Sequence, residues 1–249
     1  IRKYILGKYI EKKYNKKDSY SYALGATLTI EMLEKKIEYA KKVYFHSTLE
    51  RNETVLKIEE VCRKNNIPII QSDKVFRVLS EKENCYIIGE FQKFESKLSK
   101  DKNHIVLVNP SNSGNLGTII RSMVGFGIYD LAIIKPAVDI FDLKTIRASM
   151  GAIFNIRFSY FDSFSDYSKE YKNNYYPFML QAKEKLALTK FKTPFSLIFG
   201  NEATGLPKEF LNIGESVIIS HSKNIDSLNL TIAASIAIYE ATKNNFNNW

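Results

Sequence analysis

The sequence is poor in the residues that staple or metallate small folds. Of 249 residues only Cys62 and Cys85 are cysteines, far apart and with no neighbouring histidine, which excludes a disulfide framework and a cysteine-based zinc site. The three histidines, His46, His104 and His221, are scattered without metal-ligand spacing, so no metal is expected and each reads as an ordinary surface or loop residue. No apolar run approaches the ~18 residues of a membrane span. The opening IRKYILGKYIEKKYNKK is basic and has neither the apolar centre nor the small-residue cleavage site of a secretory leader. A cytoplasmic protein with no membrane role is the expectation. Internal repeats and low-complexity tracts are also missing.

What is present is a core: 45% hydrophobic and 13% aromatic residues, enough for one large domain or two modest ones. Acidic residues are outnumbered, and the net charge of +9 favours a polyanionic partner. The surplus is uneven. Residues 1–103 carry 22 Lys and Arg against 15 Asp and Glu, whereas residues 104–249 carry 14 against 12. A charged run can equally be a solvated face.

Apolar spacing over Leu24–Leu33 and over residues 52–66 predicts helices, and KKVYFHS, IPIIQS and CYIIGEF predict strands. This is a small α/β domain, assigned to residues 1–100 with its basic N-terminal segment. ESKLSKDKN, 95–103, reads as a linker. A second domain, 101–249, begins with the strand HIVLVNP, the loop SNSGN, the helix LGTIIRSMVGFG and the strand DLAIIKP. That order is a βαβ unit and implies a parallel sheet. NIRFSYF, YYPFMLQA, FSLIFG and ESVIIS extend it to five or six strands.

Ligands of open α/β sheets bind where loops leave the C-terminal ends of strands. Three such loops stand out. In NPSNSGNLGTIIRS, Asn115 is placed to cap a helix and Arg121 to offer a planar fork to a phosphate. In IFGNEATGLP, Gly200 and Gly205 surround Asn201 and Glu202, and Pro207 suits the first turn of a short helix. In IDSLNLTIAASIAIYEA, Asp226, Ser227 and Asn229 either cap a long apolar helix or form part of a site. SGNLGTII lacks the leading glycine of a dinucleotide fingerprint.

Asn115-Leu116-Gly117 with Arg121, Gly200-Asn201-Glu202 with Gly205, and Ser227-Leu228-Asn229 resemble, in order and spacing, the three motifs of the SpoU/TrmH family of RNA ribose 2′-O-methyltransferases. The resemblance covers residues 104–243, including RASMGAIF. It implies an α/β fold in which a trefoil-knotted parallel-sheet methyltransferase domain follows a small α/β RNA-binding domain. It further implies S-adenosylmethionine as methyl donor, a homodimer joined through the last helix, and structured RNA as substrate, large-subunit (23S) rRNA before tRNA. Carried over by position, Gly200, Ile219 and Leu228 line the adenosine pocket with Ser227, and Gln181 and Ala182 form a further wall. Arg121 engages the target phosphate and assists the 2′-OH, Asn115 and Asn229 position it and the ribose, and Glu202 orders the loops or Arg121. An Arg, which keeps its proton throughout the ordinary pH range, acts by electrostatic orientation more readily than as a base.

Two places depart from the family pattern. Ile219-Ser220-His221-Ser222-Lys223 lacks the usual proline and glycine, and Asn109-Pro110 stands where Asp-Pro is commoner. The competing readings are a non-catalytic RNA-binding or ribosome-assembly protein on the same fold and a nucleotide-dependent oxidoreductase.

Overall fold

The computed structural model describes residues 13–80 and 84–246, so most of the basic opening segment lies outside the described residues. The chain divides into two compact units. The first combines the described part of Ile1–Phe94 with Asp139–Phe154, and the second combines Glu95–Val138 with the described part of Asn155–Trp249.

In chain order the first unit contains β1 (Tyr20–Leu24), α1 (Ala26–Lys35), β2 (Ala40–Phe45), α2 (Glu53–Lys64), β3 (Ile69–Gln71), α3 (Asp73–Leu79) and β4 (Ile87–Gln92). The sheet order is β1-β4-β2-β3; β4 runs antiparallel to both its neighbours, and β3 pairs parallel with β2. Strand β1 and helix α3 are not foreshadowed by the pattern of residues, because five and seven residues are too few to show a period. Helix α2 starts where Asn52 accepts a hydrogen bond from the Val55 N–H at 3.0 Å, and it buries Val55, Ile58 and Cys62.

A boundary at residue 100 places Asp139–Phe154 in the second domain, whereas the structure packs this segment into the first unit. Aromatic contacts are the reason: Phe141 meets Phe91 and Phe94 at 5.9 and 5.1 Å, and Phe154 meets Phe91 edge-on at 5.2 Å. Chain order carries no signal of that return. Nor is 95–103 a free linker. Leu98 is buried in the second unit's core, and the Ser99 N–H donates to Asp130.

The second unit contains β5 (His104–Val108), α4 (Ser113–Gly125) and β6 (Asp130–Ile134); α5 (Leu143–Ala148) then belongs to the first unit's returning segment. The second unit resumes with β7 (Arg157–Phe161), α6 (Phe164–Glu170), β8 (Asn174–Pro177), β9 (Glu184–Lys185), β10 (Phe195–Phe199), β11 (Val217–Ile218) and α7 (Leu230–Thr242). Five strands form an all-parallel sheet in the order β7-β6-β5-β10-β8, and β9 pairs with β11 beside it. Every residue of β6 and β10 is buried, as continuous apolar runs in a two-sided parallel sheet require. The strands expected at 175–182 and 215–220 are shorter than their apolar runs. β8 stops at Pro177, which has no N–H to donate and sits on an edge strand.

From β5 the chain moves outward through β6 to β7, crosses to the far edge at β8, and returns to insert β10 beside β5. The ends of β5 and β10 are therefore the topological switch point, where an open α/β sheet leaves a crevice.

His104 is no surface residue. It is fully buried, with Nδ1 2.8 Å from the Tyr167 hydroxyl and Nε2 2.8 Å from the Ser99 carbonyl oxygen, and Tyr167 continues to Ser196 at 2.6 Å. Burial holds its pKa below the ordinary value, with Ser99 and Asp130 opposing less strongly. The unfolded chain therefore binds the extra proton first. Stability is complete above the unfolded pKa of about 6.5 and declines as pH falls below it. The melting temperature should drop between about pH 7.5 and about pH 5.5, and a His104→Gln variant, less stable throughout, should lose part of that slope. An identical slope in both proteins would place the pH dependence elsewhere.

Candidate functional site

Two loops meet at the switch point. After β5 the chain turns through Asn109, whose φ of 54° is left-handed, into Ser111 and Asn112. Asn112, not Asn115, is the N-cap of α4: its Oδ1 accepts from the Asn115 N–H at 3.0 Å, so the helix starts three residues before the expected Leu116. The Asn115 side chain is thereby free for another partner. Its Nδ2 donates to Glu202 at 3.2 Å.

Glu202 sits in the loop after β10 and ties it to the first loop. Its carboxylate accepts from the Ser111 N–H at 3.1 Å, the Ser111 hydroxyl at 2.7 Å and the Asn112 N–H at 3.2 Å, besides Asn115. Burial alone disfavours its charge, but these donors outweigh burial and leave the pKa below the ordinary carboxylate value. Asn201 reinforces the junction. Its Nδ2 donates to the Asn109 carbonyl at 2.8 Å, and its Oδ1 accepts from the N–H groups of Ala203 and Thr204. Of the two roles expected for Glu202, the structure displays loop ordering; among the described residues Arg121 makes no hydrogen bond or ion pair, and it is exposed on α4.

Beside this junction lies a cavity of about 240 Å³, open on one side. Gly200, Ile219, Leu228, Ser227 and Gln181 all line it, as expected from their positions in the sequence, and Glu202 does too. Ala182 does not: it is 9% exposed and packs into the core with Met179 and Tyr167. Gln181 and Ala182 follow one another on a turn, so one side chain faces out and the other in. Arg121, Asn115 and Asn229 lie outside the lining.

The third segment both caps a helix and contributes to the site. Asn229, not Asp226 or Ser227, caps α7: its Oδ1 accepts from the Thr231 N–H at 2.9 Å and the Thr231 hydroxyl at 2.6 Å. Ser227 and Leu228, just outside the helix, are left to the cavity wall. His221, expected as an ordinary loop residue, also lines the cavity, and its Nδ1–H donates to the Ile219 carbonyl at 2.9 Å. That bond spans the stretch where the family's proline is missing. Phe178 and Phe199, stacked at 4.8 Å and 16° on the cavity wall, are functional candidates that the sequence does not reveal, because β8 and β10 are adjacent only in space.

These walls suit an adenosyl sulfonium. Stacked aromatics with Leu206 and Leu228 offer apolar faces for a base, loop main chain and Gln181 offer hydrogen bonds, and the ionised Glu202 places negative charge on the wall. The volume is a little under the ~300 Å³ of small-molecule clefts, so part of a ligand of that size extends through the open side. Among the described residues no cluster of three metal-ligating side chains exists, and no helix is long and apolar enough to cross a membrane.

Comparison with known proteins agrees with this geometry. The model of the SpoU rRNA methylase family matches residues 102–239, more than half of the chain. A relative from Listeria innocua, whose name proposes it as a tRNA (cytidine(34)-2′-O)-methyltransferase, is 32% identical over 148 residues, which are 57% of this chain and 87% of the relative. The 23S rRNA (uridine(2479)-2′-O)-methyltransferase of Streptomyces viridochromogenes is 27% identical over 148 residues, 56% of this chain and 52% of that one. The crystal structure of an AdoMet-bound rRNA methyltransferase from Sinorhizobium meliloti superposes with a TM-score of 0.78 at 24% identity, covering 91% of this chain and 88% of the other.

Proposed function

The chain belongs to the SpoU rRNA methylase family, and from that premise we propose that it methylates a ribose 2′-OH of large-subunit rRNA, using S-adenosylmethionine, in the cytoplasm. The observation that carries the reading is the meeting of the loop after β10 with the segment before α7 on one cavity, with Gly200, Ile219 and Leu228 together on its wall, while Glu202 ties the loop after β5 alongside. Preference for rRNA rests on coverage. The Listeria relative aligns with 57% of the chain, whereas the Sinorhizobium rRNA methyltransferase has counterparts for 91%, a span that takes in most of the N-terminal unit.

Bound S-adenosylmethionine would supply a methyl group made electrophilic by its sulfonium. Main-chain groups of Gly200, Ile219 and Leu228 would hold it, with Ser227 and Gln181 beside them. Arg121, exposed and unpaired among the described residues, is the group available to a substrate phosphate arriving from solvent, where a planar fork binds two oxygens. Its charge stabilises the developing oxyanion and orients the 2′-OH. Asn229 has spent its Oδ1 on capping, so its Nδ2 is what remains for a ribose hydroxyl. Asn115 and Glu202 act by setting the two loops.

The trefoil knot belongs to this reading. It is supported by a sheet in which β10 enters between β5 and β8, and by the closed 200–206 loop beside the later segment 217–228. The dimer is supported by α7, which carries Ile232, Ile236 and Tyr239 at helical spacing, each at least 40% exposed.

The test is incubation of the purified chain with methyl-labelled S-adenosylmethionine and either 23S rRNA transcript or total tRNA, followed by mapping of 2′-O-methyl sites. Label in 23S rRNA and not in tRNA is expected. Label in tRNA alone would overturn the substrate assignment, and no label together with no calorimetric heat from S-adenosylmethionine would favour the non-catalytic RNA-binding alternative.

A further inference from the structure

The first unit holds a second cavity, of about 390 Å³, which methyl transfer does not use. Its walls differ in character. Leu24, Leu28, Leu79 and Leu143 form an apolar interior, while Lys144 and Arg147, one turn apart on α5, stand at the cavity. Both cations are exposed and, among the described residues, make no ion pair or side-chain hydrogen bond.

One carboxylate stands among them without pairing to either side chain, which leaves a net positive charge at the cavity. Asp142 also lines the cavity, but its carboxylate accepts from the Lys144 N–H at 2.8 Å as the cap of α5, and the Tyr14 hydroxyl is directed to Asp139. Met150, another wall residue, adopts a left-handed φ of 50° and is 48% exposed, so a large apolar side chain is held at the cavity against backbone preference. Helix α1 opens onto the same space at Gly25 without a side-chain cap. A Cβ added to Gly25 would meet nothing within 4 Å, which leaves room beside the first-turn N–H groups.

An apolar interior with two unpaired cations at its edge suits a ligand that joins a ring with apolar faces to a phosphate. We propose that this cavity is a nucleotide subsite of the RNA-binding surface, which takes one base of an RNA strand against Leu24, Leu28 and Met150 and its phosphate on Lys144 and Arg147. The assignment rests on the RNA methyltransferase reading and adds a specific contact to it. The strand, rather than a free nucleotide, is favoured by the surplus of seven positive charges over residues 1–103.

The experiment measures RNA affinity of the full chain without methyl donor, by fluorescence anisotropy of a labelled single-stranded oligonucleotide across a salt series. The double variant Lys144→Gln/Arg147→Gln should bind about 10-fold more weakly, with a salt slope shallower by roughly 0.7 for one lost phosphate contact. A matched charge loss in the second unit, Lys190→Gln/Lys192→Gln, should leave the affinity within about twofold, and calorimetric binding of S-adenosylmethionine should be unchanged in both. With 4-thiouridine in the oligonucleotide, cross-links should map to residues 24–28 and 143–150 even if the double variant folds poorly. Unchanged affinity and slope in a folded double variant, or cross-links elsewhere only, would overturn the subsite while leaving the methyltransferase reading intact. Loss of those cross-links to competing uridine monophosphate at micromolar concentration would identify a free nucleotide as the ligand and overturn the strand assignment. Absence of any RNA binding by the wild-type chain would sink the subsite together with its parent reading.

Discussion

Arg121→Ala is expected to slow methyl transfer by about 10³-fold, the scale of removing a charge-stabilising donor from a transition state, while S-adenosylmethionine binding stays within about twofold. Separation of the two effects follows from placement. Arg121 is exposed on α4 and does not line the methyl-donor cavity, so its loss removes nothing from that wall. Arg121→Lys keeps the charge and loses the planar fork, and should recover only part of the rate. Single-turnover transfer to the true RNA measures the first quantity and calorimetric titration the second. A wild-type rate in Arg121→Ala would end the assignment; a parallel collapse of donor binding would mean that Arg121 supports the fold of the site instead.

Gly200→Ala should abolish donor binding for a steric reason. A Cβ at this position would lie 2.2 Å from the Gly205 carbonyl carbon, 2.3 Å from the Leu206 nitrogen and 2.4 Å from the Gly205 oxygen. These are backbone atoms, so no side chain can swing aside. The loop must open, which pulls Glu202 away from Ser111, Asn112 and Asn115 and displaces the 200–206 wall of the cavity. Donor affinity should fall by at least about 100-fold and stability by about 1–3 kcal/mol, the usual cost of overpacking. Gly205→Ala is the contrast. Nothing lies within 4 Å of its added Cβ, so only the strain of a φ of 67° is imposed and the loss should be smaller. Calorimetry and thermal melting of the two variants decide the matter: equal donor affinity in Gly200→Ala and the wild type would show that close packing of this loop is not what forms the pocket.

Much of the second unit is legible in the order of its residues. HIVLV, DLAII and FSLIF are runs of apolar residues bounded by turn-formers, and buried parallel strands need such runs because both faces are covered. The loops after them carry Asn, Gly and Glu in spacings that resemble a family, and five of six expected lining residues do line the cavity. The features that are not legible have identifiable physical causes. Capping passes from Asn115 to Asn112 because several polar residues precede α4 and the backbone selects among them. Short helices such as α3, α5 and α6 are too brief for periodicity to detect.

Taken alone, the amino-acid sequence specifies the central buried strands of the second unit, which loops carry the polar and flexible residues, and that the charge surplus lies toward the N-terminus. Those properties depend on composition and on neighbours within a few residues. Folding in three dimensions decides the rest: Phe141 and Phe154 return their segment to the first unit, Glu202 grips the loop ninety residues before it, and Phe178 stacks on Phe199 in the cavity wall. Each of these is a contact between distant parts of the chain, and its energy exists only once strand order has brought the two parts together.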